Sequence, residues 1–105
     1  MIVVWSRPAR DSFYSHIEYL LTLSPVGARN VNTAVIEAIG KLEHSPFVGR
    51  PGRWENTREL IISKYPYIVT YRLKVDVIEI LYIHHTRQEW PEAGEITSTP
   101  PPEAP

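Results

Sequence analysis

The sequence predicts an α+β fold: a four-stranded, mostly antiparallel sheet in β-α-α-β-β-β order, with an N-terminal helical hairpin packed on one face. Three observations carry this. Residues 57–87 hold three runs rich in β-branched and aromatic residues, separated by links of a few residues. Residues 6–43 carry two apolar stripes at three- and four-residue spacing, divided at Ser24-Pro25. A short apolar run, Ile2 to Trp5, precedes both and supplies the remaining strand.

In chain order, Ser6 is a candidate N-cap and Pro8 fits the first helical turn. Ala9, Phe13, Ile17, Leu20 and Leu21 form the first stripe, while Arg10, Asp11 and Glu18 fall off it. Ser24 ends this helix because the residue before a proline disfavours helical geometry. A second helix is predicted from about Val26 to Glu43, with Ala28, Val31, Val35, Ala38, Ile39 and Leu42 on one side. Pro46 to Asn56, PFVGRPGRWEN, reads as a loop that displays Arg50 and Arg53. Arg58 to Ser63 is the next strand. Tyr67 to Leu73 follows, with Tyr67, Val69, Tyr71 and Leu73 on one face and Ile68, Thr70 and Arg72 on the other. Val77 to His84 is almost continuously apolar, which predicts a central strand covered on both faces, with the first strand beside it. Short links make neighbouring strands of this half antiparallel. Beyond Trp90-Pro91 the pattern is lost, and residues 92–105 form an acidic, Pro-rich tail.

Composition narrows the function classes. With 105 residues the chain builds one core. It has no cysteine, which excludes thiolate chemistry and a Cys-based zinc site. No apolar run approaches a membrane span, and the N-terminus has its apolar residues before its charges, the reverse of a signal peptide. A cytoplasmic protein is the plain reading. Residues 50–87 carry seven basic against four acidic groups, an excess that suits an acidic partner but is no strong nucleic-acid footprint.

The residues that carry chemistry are few. GRPG at positions 49–52 lacks the following Lys-Ser/Thr of a phosphate loop, and no serine or threonine has a positioned base. His84 and His85 diverge to opposite faces of a strand, and His16 and His44 are distant in sequence, so no metal site and no cofactor is predicted. Trp54 and Trp90 are candidate recognition aromatics; Arg50, Arg53 and Arg72 are candidate partner contacts beside them.

Several pieces, in this order, resemble toxins of the RelE/ParE superfamily of type II toxin–antitoxin modules: SRPARDS, LEHSPFVGRPG, TRELIIS, PYIVTYRL and VIEILYIHHTRQEWP. The resemblance covers roughly residues 2–91, so residues 1–91 are taken as the toxin domain. It implies a small cytoplasmic protein neutralised by direct binding of an antitoxin. Strand addition to the exposed sheet edge and a helix in the groove beside the hairpin are the two modes open to that partner. The nuclease branch carries an arginine in a Tyr-Arg-x-x-Tyr strand, where this chain reads Tyr67-Ile68-Val69-Thr70-Tyr71. An isoleucine cannot stabilise a pentacovalent phosphate. The resemblance therefore favours the ParE-like branch: inhibition of DNA gyrase, a ParD-like antitoxin, no catalysis, and no direct DNA binding by the toxin alone. The alternative is a RelE-like, ribosome-dependent messenger-RNA endonuclease using His85, Arg87 and Arg58, with Arg58 as a candidate phosphate contact.

Overall fold

Ser6 links the first strand, the first helix and the centre of the sheet. The computed structural model describes residues 1–62 and 64–87, whose elements are β1 (Ile2–Trp5), α1 (Arg7–Leu23), α2 (Pro25–Lys41), β2 (Arg50–Pro51), β3 (Arg58–Ile61), β4 (Tyr67–Leu73) and β5 (Val77–His85). The Ser6 side chain accepts from the Ala9 N–H at 3.2 Å, capping α1, and its hydroxyl donates to the Leu81 carbonyl at 3.1 Å. Ser24 serves both helices. Its N–H donates to the Leu20 carbonyl at 2.8 Å, closing α1, and its hydroxyl oxygen accepts from the Gly27 N–H at 3.0 Å, opening α2. Pro25 is the first residue of α2, where its missing N–H leaves no bond unmade. The second helix thus begins and ends slightly earlier than the predicted Val26 to Glu43.

The sheet has five strands in the order β1-β5-β4-β3-β2 and is mixed, which corrects the four-stranded expectation. β1 pairs beside β5, as predicted, but runs parallel to it, with Ile2 opposite Val77 and Trp5 opposite Ile80. No tight turn joins these two strands, so the direction of β1 is set by where the helical hairpin returns the chain, and a long crossover allows parallel pairing. The additional strand is β2, two residues inside the expected loop, antiparallel to β3 through Arg50–Glu59 and Pro51–Arg58. A proline is tolerated there because this is the sheet's edge. Asn56, at φ 63°, takes the left-handed turn before β3, a conformation asparagine adopts more readily than most residues.

Alternation holds along β4 and breaks once in β5. Thr70 pairs with Tyr82 and Tyr71 with Ile80, so Leu81 is an extra, bulged residue. The bulge keeps Ile80 and Ile83 in the hairpin-side core with Val69 and Tyr71, against Phe13, Val31, Val35, Ile39 and Leu42 of the helical layer. Each such side chain contributes on the order of 1.5–3 kcal/mol through burial. The first helix buries Ala9 and Phe13 and packs Ile17 and Leu20 against the core, as its stripe predicts, but Leu21 is 50% exposed. β5 lies between β1 and β4, as its apolarity predicts, and Ile78, Ile80 and Ile83 are buried on the hairpin face. On the other face His84 is buried but Val77, Glu79 and Tyr82 are only partly so, which corrects the expected full cover on both faces.

Candidate functional site

The segment between α2 and β3 is held by its backbone. The buried Tyr71 hydroxyl donates to the Pro46 carbonyl at 2.8 Å and accepts from the Gly49 N–H at 2.9 Å. Arg58 donates to the carbonyls of Phe47 at 3.0 Å and Gly49 at 2.6 Å, with its guanidinium 5.5 Å from the Phe47 ring centre. Glu59 is 4% exposed and accepts three bonds, from Arg50 Nε at 3.0 Å, Arg50 Nη2 at 2.9 Å and the Arg53 N–H at 3.0 Å. Gly49 is required by close approach, since a Cβ there would stand 2.5 Å from the Tyr71 hydroxyl and 2.8 Å from the Glu59 carbonyl. These anchors leave Phe47 and Val48 outermost, 70% and 61% exposed.

Beside this segment lies a groove of about 360 Å³ between α2 and the outer strands, lined by Ala34, Ala38, Leu60 and Ile62, with the exposed Val48 at its mouth. Lys41 and Lys64 stand at its rim with Glu37. β2 pairs with Arg58 and Glu59 alone, so Leu60 and Ile61 form an outer edge with no strand beside it among the described residues. The arrangement offers an apolar channel, a stretch of open strand edge and a basic rim. It can receive an extended or helical segment with apolar anchors.

Arg50 and Arg53 are both exposed, as the loop predicts, yet two of the candidate arginines are also paired. Arg50 pairs with Glu59, and Arg72 with Glu79 at 2.6 Å, with Lys74 adding a 3.6 Å contact to the same carboxylate. Arg53 is exposed, its guanidinium 5.8 Å from the Trp54 ring centre, and the half-buried Trp54 turns its carbonyl to the Thr57 N–H and hydroxyl. Trp90, with the tail from residue 92, lies outside the described residues.

The nuclease candidates do not converge. Arg58 is opposite Tyr71 and His85 opposite Tyr67, four residues apart along β4. At about 3.4 Å per residue this is roughly 13 Å along the strand, with two strand spacings of about 4.8 Å across it. Arg87 does lie beside His85, its N–H donating to His85 Nδ1 at 3.0 Å. Ile68 is buried between Ile61 and His84, so the strand position that bears an arginine in the nuclease pattern is apolar here.

One pairing was not foreseen. His16 of α1 lies against His85, ring centres 5.5 Å apart, and both rings meet Tyr67 edge-on at 5.2 Å. Burial first, and then His85, holds His16 below its ordinary value. Burial first, and then Arg87, does the same for His85, while burial pushes the Tyr67 hydroxyl up to about 12. Sequence placed His16 only on a helix; its signal was its position one turn after the buried Phe13. Glu59 and Tyr71 were also missed as anchors, although a lone acid inside an apolar strand was a visible clue. Among the described residues no group of three or more His, Cys, Asp or Glu side chains is placed to hold a metal ion.

Comparisons with known proteins agree with one another. In solved structures, a chain of the chromosomal ParDE TA system from P. aeruginosa superposes with a TM-score of 0.75 over 83% of this chain and 97% of that one, at 23% identity, which is a likeness of fold. Among curated sequences, "Putative toxin Y4kP" of Sinorhizobium fredii is 40% identical over 74 residues, covering 70% of this chain and 76% of that protein. Residues 3–90 match the family described as ParE toxin of type II toxin-antitoxin system, parDE. With nearly the whole described fold inside that match, the chain belongs to the ParE toxin family of type II toxin–antitoxin systems.

Proposed function

We propose that this toxin acts by binding: it inhibits DNA gyrase, and a ParD-like antitoxin neutralises it in the cytoplasm by occupying the groove and the outer edge of β3. The observation that carries this reading is how the cations are used. Arg50, Arg58 and Arg72 are already engaged by carboxylates or carbonyls of the fold, and Arg58 and His85 stand four residues apart along β4, on the strands either side of it. Cleavage of a phosphodiester needs a base, an acid and cations around one phosphate, whereas a binding protein needs a firm surface. The anchored loop and the open groove supply such a surface. Candidate contacts are Arg53, Trp54, Phe47 and Val48 on the loop side, with Trp90 retained from the sequence.

Purified toxin added to gyrase in micromolar excess is expected to block supercoiling and accumulate cleaved DNA complexes, with antitoxin restoring activity. Untouched gyrase, together with cleavage of ribosome-bound messenger RNA that disappears in a His85→Ala, Arg87→Ala double variant, would replace this reading with the endonuclease one. The antitoxin seat is tested separately. Val48→Asp puts a charge at the mouth of an apolar groove and is expected to weaken antitoxin binding about tenfold by calorimetry. Unchanged affinity would move the antitoxin elsewhere.

A further inference from the structure

The corner where α1 crosses the end of the sheet contains more titratable chemistry than the packing needs. His16 and His85 face each other with ring centres 5.5 Å apart, at an interplanar angle of 39°, and share the Tyr67 ring. The Arg87 N–H donates to His85 Nδ1 at 3.0 Å. A ring nitrogen that accepts a hydrogen bond bears no proton, so His85 is neutral here and carries its proton on Nε2. The same bond weighs against a metal ion between the two rings: one nitrogen is protonated and the other already accepts, so ligation would break the bond.

We propose that His16 and His85 form an acid-sensitive clasp between α1 and the chain leaving β5, closed while both rings are neutral and opened by protonation. A proton arriving at His85 goes to Nδ1. The acceptor of the Arg87 N–H then becomes a second donor, and the two N–H groups oppose each other. A second proton, on His16, places two cations face to face, with the Arg87 side chain adding charge of the same sign. Among the described residues, the other side chains that meet the pair through ring contacts are tyrosines. Tyr19 of α1 lies 6.1 Å from the His16 ring, and Tyr67 of β4 holds a neutral hydroxyl. The turn before β4 meets the corner through the Pro66 carbonyl, which accepts from the Thr86 N–H at 2.8 Å. This places the clasp at the exit from the sheet, where Thr86 and Arg87 are tied back by one neutral ring and one carbonyl.

The direction of the pH effect follows from linkage. Both histidines sit below 6.5 in the folded chain, so the unfolded chain binds more protons than the folded one just below that value. The clasp's contribution is present above about pH 6.5 and is lost as pH falls through the lowered folded values.

The test is a titration of the full chain from pH 7.5 to 5, followed by nuclear magnetic resonance of the imidazoles and the backbone amides. Both histidines are expected to titrate below 6.5, with the Arg87 amide shifting at the His85 midpoint. Its exchange protection is expected to fall about tenfold or more across the same step. In His85→Gln the His16 midpoint is expected to rise by roughly half a unit, the effect of removing one like charge at a partly exposed site. In His85→Gln the acid-induced shift of the Arg87 amide is expected to vanish. An Arg87 amide that ignores the His85 titration in the unaltered chain overturns the clasp. So does a His16 midpoint that His85→Gln leaves in place.

Discussion

Two arginine–glutamate pairs cross neighbouring strands of one sheet, and they differ in what the carboxylate holds. Arg72–Glu79 joins β4 to β5 at 2.6 Å, with both side chains partly exposed and Lys74 nearby. Arg50–Glu59 joins β2 to β3 at 2.9 Å, with the arginine 59% exposed and the carboxylate 4% exposed. Glu79 meets cations alone. Glu59 also accepts the Arg53 backbone N–H, so its removal frees a segment of chain and not merely a partner charge. Exposed pairs contribute little because water competes and the side chains lose freedom, whereas a buried acceptor with several donors is hard to replace. The contrast explains why the edge near the groove is ordered by chemistry and not by strand length, since β2 is two residues long.

The largest expected effect is that of Glu59→Ala, which removes all three bonds and the partner that keeps β2 in place. It should lower stability by about 3 kcal/mol in urea denaturation. A loss no greater than that of Glu79→Ala would erase the contrast. Tyr71→Phe tests the same edge from β4: the carbonyl of Pro46 and the N–H of Gly49 lose their partner beneath the loop, at a cost of about 2 kcal/mol. Faster amide exchange at Gly49, with β5 unaffected, would locate that loss in the loop. The smallest effect is that of Glu79→Ala, under about 1 kcal/mol, and half-molar salt should remove most of it. A salt-insensitive loss of the Glu59 size would mean that the sheet centre depends on its ion pair as much as the edge does.

Much of the fold was legible because its signals are local. Ser6 and Ser24 read as helix boundaries from their own chemistry and the prolines after them, and both act as caps. The second helix buries Ala28, Val31, Val35 and Ile39, the side its spacing marks, and its C-cap Leu42 is buried with them. The near-continuous apolarity of β5 predicted a central strand, and it lies between β1 and β4. The candidate site was less legible. Arg50, Arg53, Arg58 and Trp54 stood out by residue type, but type alone does not say which side chain faces inward. Arg58 reads as a phosphate contact until Phe47 and Gly49 are found to present their carbonyls to it.

By itself, then, the sequence determined the helices, the Ser6 cap and the break at Ser24-Pro25, four of the five strands, and the motif order that marks the toxin family. Propensity, capping and periodicity act over a few residues, so they are written where they are read. Tertiary structure alone decided the parallel direction of β1, the bulge at Leu81, the strand at Arg50–Pro51, the capture of that edge by Glu59, and the meeting of His16 with His85. Each depends on groups far apart along the chain, whose attraction is real only at contact distance. No local pattern records which of several arginines reaches a given carboxylate, or which helix position comes to rest over the end of a strand.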